Sequence, residues 1–222
     1  SIATGSMSDP YNPFEAELQL TRHALELIDA YDCGVAIATK SDLIARDVDV
    51  LASIQSHSPV ICKLTVTTAD DTLATKIEPG APAPSRRLAA LERLSRAGLF
   101  TGVLLMPVLP FLEDSDENVL GVVEGAAKAG ARFIYPALGV TMRQGQREHF
   151  LDGLECAFPG RGLKERYLRQ YGDRYQCASP RARALWEVFS QACRERGILY
   201  DMKSIIRAAT LGYGDRQLTF FD

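Results

Sequence analysis

Gly34-Val35-Ala36-Ile37-Ala38-Thr39 is an apolar run of strand length, and Ser41-Asp42 follows it at once, ahead of Leu43, Ile44, Val48, Leu51 and Ile54 at helical spacing. A short apolar strand that passes through a capping serine into an amphipathic helix is the repeating unit of a parallel sheet. Downstream the unit recurs. Val60-Ile61-Cys62-Lys63-Leu64-Thr65-Val66-Thr67 is rich in β-branched residues, and Ala69-Asp70-Asp71 opens a helix toward Ile77 that Glu78-Pro79-Gly80-Ala81-Pro82 breaks. A helix from Ser85 to Ala97 closes at Gly98, and Gly102-Val103-Leu104-Leu105-Met106-Pro107 forms a fourth strand, stopped by Pro107 and Pro110. A helix over Ser115 to Ala129 then closes at Gly130, ahead of a last strand at Phe133-Ile134-Tyr135.

Working upstream, Ser1-Ile2-Ala3-Thr4-Gly5 reads as a strand, and Pro13-Phe14 introduces a single helix from Glu15 to Tyr31 with Leu18, Leu25 and Ile28 on its packed face. Five strands in βα order predict an α/β fold. Beyond Gly139 the pattern turns helical, including Gly162 to Tyr171 and Pro180 to Arg196, and no further strand is expected. The organisation expected is a barrel-like part, 1–139, and a helical C-terminal extension, 140–222, with an apolar tail.

The 222 residues suit one large domain. Lys and Arg number 25 against 28 Asp and Glu, a formal net charge of -3, which gives no sign of a nucleic-acid or membrane partner and neither supports nor excludes a local basic groove. No apolar run reaches membrane-spanning length and no signal-peptide pattern opens the chain, so a soluble, cytoplasmic protein is expected. Cys33, Cys62, Cys156, Cys177 and Cys193 are scattered and odd in number, which argues for reduced thiols.

In a barrel of βα units, ligands bind where strands end. Those positions hold Gly5, Ser6, Ser8 and Asp9, then Thr39, Lys40 and Ser41, then Thr65, Thr67 and Thr68. Hydroxyls with one amine suit a ligand bearing a carboxylate and ribose hydroxyls, and equally a phosphate. Serines and threonines at such positions also cap helices. Lys40 is harder to explain that way, because a lysine aimed into a mouth needs an anionic partner.

The words Thr4-Gly5-Ser6-Met7-Ser8-Asp9-Pro10-Tyr11-Asn12-Pro13, Thr39-Lys40-Ser41-Asp42-Leu43, Thr65-Val66-Thr67-Thr68 with Glu78-Pro79-Gly80-Ala81-Pro82, and Met106-Pro107-Val108-Leu109-Pro110 stand in an order that resembles radical S-adenosylmethionine proteins. The branch they resemble is the spore-photoproduct-lyase-like or DNA-repair-photolyase-like group, with the similarity continuing through Phe158-Pro159-Gly160 to the Gln-Leu-x-Phe-Phe ending. The resemblance implies a six-unit partial TIM-like barrel that binds S-adenosylmethionine and a 4Fe-4S cluster and acts by radical hydrogen abstraction on an unknown substrate, with a nucleic-acid lesion as one option. It places Ser6 or Ser8 and Thr65 at the methionyl end of the cofactor and Lys40 on its carboxylate. The family's Cys-x3-Cys-x2-Cys loop does not occur in the sequence. The expectation is therefore a chain that starts at the second barrel strand, lacks the first βα unit, holds no cluster by itself and associates through an open sheet edge.

Cys62 and Cys33 are expected to be packed; Cys177 is expected in a loop, exposed or at the mouth, where a radical-donor role is open to it. His23, His57 and His149 show no metal spacing. Asp70-Asp71 and the acidic run from Asp114 to Glu117 suit helix starts, and Tyr11 and Tyr135 suit packing. The tail Gln217-Leu218-Thr219-Phe220-Phe221 resembles the peptide with which bacterial repair proteins dock on the sliding clamp, through Gln217, Leu218, Phe220 and Phe221. Two rival functions follow: a cluster-free barrel enzyme using Lys40 for phosphate or imine chemistry, and a non-enzymatic module docking a partner through the tail.

Overall fold

A computed structural model describes residues 1–5, 8–143 and 145–214. Five strands, β1 (Ile2–Thr4), β2 (Val35–Thr39), β3 (Val60–Thr65), β4 (Thr101–Leu105) and β5 (Phe133–Pro136), form one sheet in sequence order, every neighbour parallel. The helices between them are α1 (Glu15–Leu18) and α2 (Leu20–Ala30), α3 (Val48–Gln55) after a 3-10 segment at Asp42–Asp47, α4 (Asp71–Ile77) and α5 (Pro84–Arg96), and α6 (Asp116–Lys128). The expected punctuation holds these helices. Ser41 accepts the Leu43 N–H, Asp70 accepts those of Thr72 and Leu73, Ser115 accepts that of Asn118, and Pro84 takes the first turn of α5.

The α/β architecture with a parallel five-stranded sheet is therefore as the sequence predicts. Val35, Ile37, Leu64, Val103 and Ile134 of the sheet pack with Leu51, Leu91 and Val122 of the helices in one buried core. Gly102 is required there, since a Cβ on it would lie 2.5 Å from the Phe133 ring.

Three expectations are corrected. The helix from Glu15 to Tyr31 is two helices, because Gln19 takes a left-handed conformation (φ 52°) between α1 and α2. Glu15 compensates for the break: its buried carboxylate accepts the Thr21 and Arg22 N–H groups at the start of α2 and is itself held by Arg46 at 2.7 Å. Burial would raise its carboxyl, but those amides and Arg46 outweigh burial and hold it below the usual range. Leu18 consequently faces solvent, while Leu25 and Ile28 are buried.

Secondly, strands do exist beyond Gly139. β6 (Gly139–Thr141) and β7 (Gln176–Ala178) pair antiparallel, flanking α7 (Arg147–Ala157) and α8 (Leu163–Tyr171). Three residues each are too few to show alternation. Thirdly, Cys177 lies on β7 rather than in a loop and is fully buried, its thiol directed to the Arg174 carbonyl at 3.5 Å.

β6, β7, α7 and α8 enclose a second core of Leu151, Leu154, Phe158, Tyr167, Tyr171 and Cys177, against which Leu73, Ile77, Phe111 and Leu112 pack. These last four follow β3 and β4, so this core sits over the C-terminal ends of those strands. α9 (Ala182–Glu195) instead packs on α6 through Leu185, Phe189 and Cys193, and α10 (Met202–Thr210) follows, N-capped by Asp201. After α9 the backbone of Leu199 bonds to β5, donating to the Arg132 carbonyl and accepting the Ile134 N–H. No helix among the described residues is long and apolar enough to cross a membrane.

Candidate functional site

The ends of β1, β2, β3 and β4 surround a cleft of about 420 Å³ lined by Gly5, Ser8, Asp9, Ala38, Thr39, Lys40, Thr65, Leu104, Met106 and Pro107. The structure thus brings together Ser8, Lys40 and Thr65. Ser6 lies outside the described residues. Gly5 (φ 89°) permits the loop after β1 to close on β2, where a Cβ would meet the Ala38 carbonyl oxygen at 2.0 Å.

Asp9 organises the rim. Its Oδ1 accepts the Thr39 hydroxyl at 2.5 Å and the Tyr11 N–H at 2.9 Å, and its Oδ2 accepts the Lys40 N–H at 2.7 Å. The loop after β1 is in turn anchored by Tyr11, whose hydroxyl donates to the fully buried Asp47 at 3.1 Å. Arg46 and Arg22 complete the Asp47 shell, at 2.7 and 3.1 Å. Tyr11 is therefore a packed residue, as expected.

Lys40 does have an anionic partner, and it comes from within the chain. Glu78 Oε1 lies 2.6 Å from Lys40 Nζ, and Glu78 Oε2 accepts from Arg87 at 2.6 Å. Burial would raise the Glu78 carboxyl, yet the charges and hydrogen bonds of Lys40 and Arg87 outweigh it and hold the group below the ordinary carboxylate range. An amine committed to an ion pair is poorly suited to imine formation, which weighs against Lys40 chemistry of that kind. Lys40 remains 40% exposed at the rim, with ammonium protons left for a ligand.

Glu78 is a rim residue to which sequence reading assigns no role: the Glu78-Pro79-Gly80-Ala81-Pro82 segment signals a helix break and carries part of the family resemblance, but neither singles out its carboxylate. Glu113 likewise has no role assigned from the sequence. It is fully buried behind the mouth, its Oε2 accepts the Leu109 N–H at 2.8 Å, and its Oε1 has no hydrogen-bond partner among the described residues. Burial pushes its carboxyl up to about 7, with Glu78 adding to the rise and the nearby Thr67 hydroxyl, the Leu109 amide and Lys40 opposing it. Ser41 and Thr68 serve local backbone, accepting the Leu43 and Asp70 N–H groups, and line no part of the cleft.

The cleft's size lies within the usual range for small-molecule sites. Its donor set, an exposed ammonium with hydroxyls from Ser8 and Thr65, fits a ligand with an amino-acid carboxylate and further polar groups. Thr4 Oγ1, at the same end of β1, is buried with no hydrogen-bond partner among the described residues. A metal cluster is different. Among the described residues no group of three His, Cys, Asp or Glu stands together as a metal site, and the sequence has no Cys-x3-Cys-x2-Cys triplet.

The fold defines a class: a parallel α/β sheet with its cleft at the strand ends. Among the solved structures it resembles is spore photoproduct lyase, seen in a variant with TM-score 0.64 at 16% identity over 89% of this chain and 59% of that one. A further variant of that lyase, with bound AdoMet and dinucleoside spore photoproduct, matches at TM-score 0.61 and 15% identity over the same shares. In sequence the chain is 31% identical over 171 residues to an uncharacterised protein of Mycobacterium tuberculosis, covering 77% of this chain and 49% of that protein. It is also 34% identical over 120 residues to one of Methanocaldococcus jannaschii, covering 54% and 44%. The chain spans about half the length of the curated relatives it matches. No family model matches it.

Proposed function

We propose that this chain is the S-adenosylmethionine-binding part of a radical S-adenosylmethionine protein of the spore-photoproduct-lyase-like group, acting on a nucleic-acid lesion. The observation that carries the reading is the meeting of Lys40, Thr65 and Ser8 in one cleft at the strand ends, in a fold shared with a lyase seen with AdoMet bound. In this reading Lys40 holds the carboxylate of the cofactor, Ser8 and Thr65 bond its methionyl end, and Asp9 keeps the rim in register. The cofactor, when bound at a reduced 4Fe-4S cluster, supplies a 5′-deoxyadenosyl radical for hydrogen abstraction. The described residues of this chain do not supply the cluster's ligands, so no step through a cluster is assigned to them.

Support for a nucleic-acid substrate comes from a lyase neighbour complexed with a dinucleoside lesion and from charge distribution. Residues 1–139 hold 11 Lys and Arg against 18 Asp and Glu, whereas residues 140–222 hold 14 against 10. The near-neutral total conceals a basic extension, the sign expected of a surface facing phosphates.

Calorimetric titration with S-adenosylhomocysteine tests the reading, since that ligand needs no cluster. One-to-one binding that Lys40→Ala weakens about tenfold is expected; heatless titrations with a folded chain would overturn it. Iron and sulfide content after anaerobic reconstitution, measured on this chain beside a version extended upstream as its gene encodes, then tests the cluster: iron only in the extended form is expected, and iron in neither defeats the radical assignment.

A further inference from the structure

Arg87 is a charged side chain only 1% exposed, and all three faces of its guanidinium are used. Nε donates to the Pro82 carbonyl at 2.7 Å, Nη1 to the Thr65 carbonyl at 2.9 Å and Nη2 to Glu78 at 2.6 Å. Through the other oxygen of Glu78 the same chain of contacts reaches Lys40. One buried cation therefore ties together the end of β3, the 78–82 turn and the lysine at the end of β2.

Burying a guanidinium costs several kcal/mol unless every donor is matched, and an apolar side chain would fill the first turn of α5 without that cost. What the arginine adds is direction. A rim lysine on a flexible four-carbon stem samples many rotamers, and holding one of them costs side-chain entropy at the moment of binding. With Glu78 fixed by Arg87, Lys40 is ordered before any ligand arrives.

We propose that Arg87 and Glu78 are positioning residues that aim the Lys40 ammonium into the cleft, and so make the site selective for adenosyl ligands that carry an amino-acid carboxylate. The inference rests on the cofactor reading above. Glu78 pairs with Lys40 through one oxygen and with Arg87 through the other, whereas only Arg87 also holds the Thr65 backbone. The two are thus expected to differ: loss of the Glu78 charge affects the carboxylate end of a ligand, and loss of Arg87 affects the whole site.

The test is calorimetry on the whole chain with S-adenosylhomocysteine and with 5′-methylthioadenosine, which has the same nucleoside but no amino-acid group. For Glu78→Gln, which keeps shape and one acceptor, S-adenosylhomocysteine should weaken about tenfold, roughly 1.4 kcal/mol, with methylthioadenosine changed less than about twofold. Lys40→Met should produce the same selective loss, and the double variant should lose little more than either single one. Equal weakening of both ligands, no change in either, or tighter S-adenosylhomocysteine binding by Glu78→Gln would overturn the proposal. If the wild-type chain binds neither ligand, the cofactor reading itself fails, an outcome separate from non-selective loss. Arg87→Lys should weaken both ligands, and if that variant does not fold, the Glu78 variant still decides.

Discussion

Asp9 Oδ1 accepts the Thr39 hydroxyl at 2.5 Å, joining the loop after β1 to the last residue of β2 across a separation of 30 residues. The other oxygen takes the Lys40 amide. Asp9→Ala would strand a buried hydroxyl and the backbone N–H groups of Tyr11 and Lys40 together, and a loss of about 2 kcal/mol is expected from urea unfolding. Asp9→Asn keeps acceptor capacity and should cost about half as much. An alanine variant as stable as wild type would show that the loop is held elsewhere.

Asp47 concentrates four hydrogen bonds from Tyr11, Arg22 and Arg46 in a fully buried carboxylate. Removing it leaves two guanidinium groups without their shared anion, so Asp47→Ala should lose about 3 to 5 kcal/mol. Tyr11→Phe deletes one donor and should lose about 1 kcal/mol. Combined in one chain, the two losses should fall short of additivity, a shortfall readable in a double-mutant cycle.

Glu113 gives the protein a pH dependence of defined sign. Its folded-state carboxyl is pushed up to about 7 from 4.5, so between those values the native state holds a proton that the unfolded state releases. Stability should therefore fall as pH rises from about 4.5 through about 7 and level off above, by an amount on the order of 3 kcal/mol. Glu113→Gln should abolish this slope and be the more stable protein at pH 8. A wild-type profile flat across that window, after subtraction of the variant, would refute the assignment.

Thiol reactivity should separate the cysteines cleanly. Cys156 is exposed, whereas Cys62, Cys177 and Cys193 are fully buried, and burial pushes Cys62 and Cys193 up to about 12 and raises Cys177 as well. An aromatic disulfide reagent at pH 8 should label Cys156 at once and the three buried thiols only on unfolding. Rapid native labelling of Cys177 would restore it as a residue open to substrate.

The sheet was legible because each strand is an apolar run closed by polar or glycine punctuation, as at Gly34–Thr39 before Ser41. The break at Gln19 was not, since a left-handed glutamine carries no glycine-like signal and the carboxylate that makes it tolerable, Glu15, relies on Arg46, 31 residues on. β6 and β7 escaped notice for want of length. At the mouth, Lys40 and Thr65 could be read from their place after apolar runs, and the need of Lys40 for an anion could be stated. That the anion is Glu78 could not, because partners brought together by folding leave no mark on local spacing. The clamp-like tail, with Gln217, Leu218, Phe220 and Phe221, lies outside the described residues.

The return of the chain at Leu199 gives the sheet a polarity of assembly. By bonding along the outer side of β5, that short stretch removes a flank that a foreign strand could template on. Among the described residues β1 has only β2 beside it, and Ile2 is nearly half exposed. The β5 side of the sheet is thereby closed to strand pairing, and a strand added to this sheet would have to come on the β1 side.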